Sequence, residues 1–288
     1  NPTVAFDFND CSAPPPGTTL NGVAYLDCFN GITNSGVLHL TDAIGSQGGA
    51  FVISDPNNNQ PVNALTVYFA ARIADGNATP ADGFAFVWCP SNNIPPGATW
   101  GQGGIGNGLI VSADTYVNNP GSPEAPSFNV YWNGLSVATK LVPLDFIYTG
   151  GYNADPLLQY ADAFIRVNSD GTLDMQYHGN VIFNHLVLPG YHSIAGGEFA
   201  FGGATGGSWE THWIDNLQIA TTVGQTAPTL GVSRVGNNLS MTWPAGFKLQ
   251  STTSVKSPVA WSDVTGATSP YSAPNTNSVQ FFRLISTP

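Results

Sequence analysis

Residues 110–119, IVSADTYVNN, place an acidic side chain at the end of a core strand. Ile110, Val111 and Ala113 read as buried strand, and an ionised Asp114 beside them is costly unless something pairs with it. Side chains alternate along a strand, so Asp114 and Tyr116 share a face while Asn118 lies in the loop beyond. A hard cation such as Ca2+ takes several oxygen ligands, from carboxylates, amides and backbone carbonyls, at about 2.3–2.6 Å. The Asp114 carboxylate, the Tyr116 carbonyl and Asn118 can curl around such an ion. The same residues also suit a plain turn cap ahead of Asn118-Asn119-Pro120, and the pattern alone admits both readings.

Two further stretches carry polar chemistry. In ADGFAFVW (81–88), Asp82-Gly83 enters a strand with Phe84, Phe86 and Trp88 on one face. In EFAFGGATGGSWETHWIDNL (198–217), two strands flank a glycine-rich loop. Gly202, Gly203, Gly206 and Gly207 there let backbone approach a ligand closely. Trp209, in or beside that loop, is either packing or a surface on which a sugar face could stack.

The elements that must position these residues are strands. No long amphipathic helical pattern occurs, and short apolar or alternating runs recur between Gly, Asn and Pro. They include 3–8, 36–42, 49–54, 64–73, 83–88, 108–116, 127–134, 163–169, 172–179, 198–203 and 212–220. This spacing predicts an all-β antiparallel β-sandwich. Asn133-Gly134 and Asp170-Gly171 suit hairpin turns. Segments 89–107 and 135–160 read as the longest irregular stretches, where binding sites on a rigid sandwich usually sit. Domain 1–220 is followed by a linker, 221–230, and a small β unit, 231–288, with Trp243, Trp261, Phe281 and Phe282 as its expected core.

Hydrophobic residues make up 42% of the 288, enough for a real core. The net charge of −11 leaves little to neutralise phosphates, so nucleic acid is excluded as a partner over any broad surface. No apolar run is long enough to span a bilayer. The chain starts at Asn1, which fits a processed secreted product located outside the cell or on its surface. Cys11 and Cys28 flank a proline-rich loop and are the preferred disulfide, leaving Cys89 as a buried thiol.

The three stretches occur in the order found in the L-type (legume-like) lectins of the concanavalin A-like superfamily. Asp82-Gly83-Phe84 resembles that family's Asp-Gly entry to an aromatic strand, and 113–118 resembles its Phe-Asp-Thr/Ser-Phe/Tyr-x-Asn motif. Residues 199–215 resemble its glycine-rich loop and the following strand, and GQGGIGNGLIV (101–111) its approach to the metal strand. The resemblance covers roughly 1–220 and implies a jelly-roll lectin sandwich. It implies that Asp82 and a backbone amide near Gly103 or Gly104 bond sugar hydroxyls, and that Asn118 touches both sugar and Ca2+. Ala204, Thr205, Gly206, Gly207 and Trp209 would set sugar preference. Asp114, Tyr116 and Asn118 would hold Ca2+, with Glu124, Asp145 or Asp155 as the remaining acidic ligand. Ser112 stands where the legume proteins carry a transition-metal Glu, and Ser127 to Asn129 where they carry a His, so a second metal site is not expected. The C-terminal unit loosely resembles accessory β modules of secreted bacterial proteins.

The expected function is carbohydrate binding without catalysis, with a glycan or polysaccharide as partner. The hydrolases of this fold place Glu-x-Asp-x-x-Glu on one strand, and Glu124, Glu198 and Glu210 do not reproduce it. A lyase built on Tyr177-His178 would need basic residues that are scarce here. His178, His185 and His192 read as surface or packing histidines. The alternative is an extracellular structural, adhesive or self-associating module that kept the fold and lost the sugar site.

Overall fold

The computed structural model describes residues 3–118, 124–149, 160–224, 230–256, 259–275 and 279–286. The chain divides into two units, 1–224 and 225–288. The first unit runs through β1 (Val4–Phe6), β2 (Thr18–Gly22), β3 (Tyr25–Asp27), β4 (Val37–Thr41) and β5 (Gly48–Ile53). Then come β6 (Pro61–Ala74), β7 (Gly83–Pro90), β8 (Leu109–Asp114), β9 (Ser127–Trp132) and β10 (Leu135–Leu141). A one-turn helix, α1 (Leu144–Ile147), precedes β11 (Ala161–Val167), β12 (Thr172–Tyr177), β13 (Asn180–Val187) and β14 (Ile194–Ala195). β15 (Gly197–Ala204) and β16 (Thr211–Val223) complete the unit.

These strands form two antiparallel sheets. One has the order β10-β9-β8-β7-β15-β5-β2; the other runs β13-β12-β11-β6-β16-β4-β3, with β1 on β16 and β14 on β6. Alternation decides the packing. Leu65, Val67, Phe69, Ala71 and Ile73 of β6 share one core with Phe84, Phe86 and Trp88 of β7 and Phe199 and Phe201 of β15. Phe69 meets Phe201 edge-on at 5.0 Å and Phe84 at 6.1 Å, aromatic contacts that tie the two sheets together.

The opposite face of β7 is buried too. Ala85, Val87 and Cys89 pack with Ile94, Trp100 and Ile110 in a separate cluster. The stretch 89–107, expected as an open binding loop, therefore spends Ile94 and Trp100 on covering a sheet. The 135–160 stretch also differs from expectation, because Leu135–Leu141 pairs with β9 as an edge strand through an Asn133-Gly134 turn with both φ positive. Its mostly exposed residues carry no clear apolar face for sequence pattern to detect.

β16 continues to Val223, into the stretch read as linker, because Thr221, Thr222 and Val223 pair with Leu65, Ala64 and Val62. Residues 225–229 lie outside the described residues. In the second unit, β17 (Gly231–Val235), β18 (Asn238–Thr242) and β21 (Tyr271–Pro274) make one small sheet. β19 (Phe247–Thr252), β20 (Ser262–Asp263) and β22 (Phe281–Ser286) make another. Met241, Trp243, Leu249 and Ala273 form its core, joined by Phe282. Two expected core residues are elsewhere: Phe281 is 37% exposed, and Trp261 stacks under the Arg283 guanidinium at 4.5 Å. Phe281 and Phe282 are consecutive on a strand, so only one can face inward.

Cys11 and Cys28 are joined by a disulfide, with Cα atoms 5.5 Å apart, and Cys89 is a buried free thiol. Burial pushes that thiol up to about 12, with Glu198 adding to the shift.

Candidate functional site

Strand register brings the three sequence stretches to one end of the seven-stranded sheet. Gly83 of β7 pairs with Asp114 of β8 on one side and with Ala204 of β15 on the other. The segment before β7, the segment after β8 and the loop after β15 are therefore neighbours. Gly83 is required there, since its φ is +122° and a Cβ would strike the Ala113 carbonyl.

Asp82 sits at the centre of this convergence. Its backbone N–H donates to the Ala204 carbonyl (3.0 Å), and its own carbonyl accepts from the Thr115 N–H (3.3 Å). A Cβ on Gly206 would stand 3.4 Å from Asp82 Oδ2, so the bare backbone of the loop borders the carboxylate. The loop is held from behind. Thr205 Oγ1 donates to the Ile44 carbonyl (2.6 Å) and accepts from the Gln47 N–H (2.9 Å), while the Ser46 N–H donates to the Gly206 carbonyl (2.9 Å). Thr205 is buried, so its hydroxyl positions the loop rather than facing a ligand.

Asp114 is 9% exposed. Its Oδ1 accepts from the Tyr116 N–H (3.1 Å), and Asn118 Nδ2 donates to the Tyr116 carbonyl (3.4 Å). The chain after β8 thus curls back on itself over these residues. Burial raises the Asp114 carboxyl to about 7; the Tyr116 bond opposes this, and repulsion from Glu124, Asp82 and Glu210 adds to it. Asp82 is also shifted up by burial, with His212 lowering and Glu210 raising it. Neither carboxylate has a lysine or arginine ion pair among the described residues. The donors gathered here are all oxygens, which suits a hard cation. Among the described residues, however, no three His, Cys, Asp or Glu side chains converge as a metal cluster. Asp145 lies in α1 and is exposed; Asp155 lies outside the described residues.

Behind the site runs a buried polar chain that the sequence reading assigned no role. Glu210 is fully buried, and its Oε1 accepts from Thr115 Oγ1 (2.5 Å) and lies 2.8 Å from His212 Nε2. His212 Nδ1 lies 2.6 Å from Thr41 Oγ1. This chain joins the residue after Asp114 to the strand after the glycine-rich loop. Such a group cannot be left without partners in a low-dielectric interior. The sequence signal was an acidic residue at a strand start, in Glu210-Thr211-His212; its partners are too remote to be inferred from spacing.

Neither a protein-family model nor a curated protein sequence matches the chain. Solved structures do. The Ca2+-bound exoplasmic/lumenal domain of VIP36 aligns with a TM-score of 0.54 at 16% identity, over 73% of this chain and 86% of that one. The carbohydrate recognition domain of Emp47p aligns at 0.52 and 16%, over 76% and 95%. Basic winged bean lectin with Tn-antigen aligns at 0.53 and 18%, over 76% and 98%.

The fold is that of the L-type lectins.

On this L-type lectin fold the remaining expected residues fall unevenly. Gly103 is exposed with open space above it, whereas Gly104 packs against the Ile110 side chain. Gly101, not singled out from sequence, is the glycine that abuts Ala204 and the Gly83 carbonyl. Gly207 is open and exposed. The Trp209 ring lies near Gly45, and the residue borders a cleft whose lining does not include Asp82. Ser112 pairs with Asn129, which donates to Ser127 Oγ (3.0 Å) and accepts from Thr139 (2.7 Å), a neutral network. Asp215 is structural, accepting from the Ile32 N–H (2.9 Å) and the Asn216 N–H (2.7 Å). His178 and His185 are exposed at a turn and a bulge, and His192 is exposed with its ring edge-on to Trp132.

Proposed function

We propose that the protein is a secreted, non-catalytic carbohydrate-binding protein whose sugar site is ordered by Ca2+. The observation that carries this reading is the juxtaposition of Asp82 with Gly206 at the end of a lectin-type sheet, beside Asp114. Asp82 would accept from sugar hydroxyls, with the exposed Gly103 amide as a donor. Asp114, the Tyr116 carbonyl, Asn118 and Glu124 would hold the cation, which would neutralise mutually repelling carboxylates and fix the loop before a ligand arrives. A site preorganised in this way loses little freedom on binding. The VIP36 domain of the same fold has been solved with Ca2+ and Man2. The Cys11–Cys28 disulfide suits an oxidising compartment outside the cytosol. Among the described residues no helix is long and apolar enough to cross a membrane.

The test is binding to a glycan and polysaccharide array with Ca2+ and again with chelator, for the native protein, Asp82→Ala and Asn118→Ala. Chelator-sensitive binding lost in both variants is the expected result. Absence of binding to any glycan would instead favour a structural or self-associating module.

A further inference from the structure

Charge is divided unevenly between the two units. Of the seven lysines and arginines, four (Arg234, Lys248, Lys256 and Arg283) lie in 225–288, where Asp263 is the one carboxylate, so this unit carries +3. The other three stand against seventeen carboxylates in 1–224, which carries −14. Opposite charges on two compact units attract between copies of the chain, and each unit has an exposed surface that suits such a contact.

The basic surface is one face of β22. Phe281, Arg283 and Ile285 alternate along the strand and share that face, while Phe282 and Leu284 pack toward the core. Phe281 is 37% and Ile285 40% exposed. Arg283 stands between them in the row and is held in place. Its Nε donates to Gln250 Oε1 (2.8 Å), and its guanidinium lies 4.5 Å over the Trp261 ring. Aromatic side chains and arginine are the residues that carry most protein–protein contacts, and the planar fork offers further N–H groups to a carboxylate. The acidic surface is a cleft of about 550 Å3 beside β1, lined by Asp7, Asp10, Ala13, Pro14 and Pro16, all of them exposed. Asp7 accepts from the Asn9 N–H (3.1 Å) and Asp10 from the Ser12 hydroxyl (2.6 Å), each through Oδ1. Among the described residues neither has a lysine, arginine or histidine ion pair. Other exposed carboxylates of this unit are turned to partners, Asp75 to Arg72 (2.7 Å) and Asp162 to the Tyr68 hydroxyl (2.6 Å). The proline wall is restrained by the Cys11–Cys28 disulfide and by Thr18, whose N–H (3.1 Å) and hydroxyl (2.6 Å) both donate to the Pro15 carbonyl. Both surfaces therefore lose little freedom on meeting.

We propose that the β22 face of one copy docks into the proline-walled cleft of the next, joining copies head to tail. Arg283 meets Asp7 and Asp10, and Phe281 and Ile285 cover the prolines. The proposal does not rest on the reading of Asp82 as a sugar site. Because the two surfaces differ, the contact is heterologous: every added copy presents a new face or a new cleft, so open chains grow instead of closed dimers.

Sedimentation velocity of the full chain tests this at concentrations up to about 100 μM, in low salt and in about 1 M NaCl, where charge attraction reaches only about 3 Å. The native protein should form oligomers that grow with concentration and return to monomer in high salt, a result that needs no substitution. Phe281→Ser with Arg283→Ala removes the face, and Asp7→Lys with Asp10→Lys reverses the cleft. All four positions are exposed, so both double variants should melt like the native protein. Each alone should stay monomeric. Mixed in equal amounts they should form dimers and nothing larger, since one supplies the intact cleft and the other the intact face. A native protein that stays monomeric, association that persists in high salt or in either variant, or a mixture that stays monomeric overturns the contact. Retention of a monomeric native protein on heparin, lost with Arg283→Ala, would give the face to a polyanion instead.

Discussion

Gly206 stands against the Asp82 carboxylate so closely that a single added carbon would lie 3.4 Å from Oδ2. That is ordinary van der Waals contact, so a small side chain fits without forcing the backbone. What it would remove is access to the carboxylate. Gly206→Val is therefore expected to fold normally and to lose glycan binding by at least about tenfold, because the carboxylate oxygen is covered rather than deleted. Array binding and a thermal melt on the same sample check this. A variant that binds like the native protein would place the ligand on another side of Asp82.

Calcium and pH should act against each other at Asp114. Its carboxyl is raised to about 7 from 3.8, mainly by burial. Between those values the folded chain holds a proton that the unfolded chain has released, so the Asp114 contribution to cation-free stability is greatest at low pH and is lost as pH rises through about 7. Ca2+ binds the ionised form and should restore what is lost. The expected melt shows a larger Ca2+-induced rise in Tm at pH 8 than at pH 5. Equal Tm with Ca2+ and with chelator at pH 8 would remove the cation from Asp114.

The Glu210 chain offers a stability test separate from binding. Glu210→Ala strands His212 and Thr115 in the interior, a loss expected to cost about 3–5 kcal/mol in urea unfolding. Glu210→Gln keeps the volume and an acceptor oxygen and should cost distinctly less. Equal costs for the two would mean that cavity formation, and not the polar chain, sets the penalty.

The thiols are distinguishable by reagent. An aromatic disulfide reagent should label no cysteine in the native protein and one, Cys89, after denaturation without reductant. Reduction of Cys11–Cys28, which lie 17 residues apart, should lower stability by about 3 kcal/mol. A reactive native thiol would contradict the burial of Cys89.

The sandwich was legible because short apolar or alternating runs recur between turn residues, with Asn-Gly and Asp-Gly at two of the turns. The Asp82, Asp114 and glycine-loop stretches could each be found, since each is a local pattern, and strand register does bring them together. Glu210 and its partners could not, because Thr115, His212 and Thr41 meet only through pairing across long separations. Trp209 was visible as an aromatic beside the loop, but not the placement of its ring against Gly45, a residue far away in sequence. Leu135–Leu141 escaped because an edge strand exposes most of its residues, and the β16 extension because Thr221-Thr222-Val223 bury no apolar face.

β16 begins just after the glycine-rich loop and ends at the boundary with the second unit, paired with β6 along most of that length. A pull on the Val223 end against the rest of the sandwich would therefore run lengthwise along one strand. Many ladder bonds would then share the strain at once in shear, instead of opening in succession like a zip. That arrangement converts ordinary sheet pairing into mechanical strength along the direction of the strand.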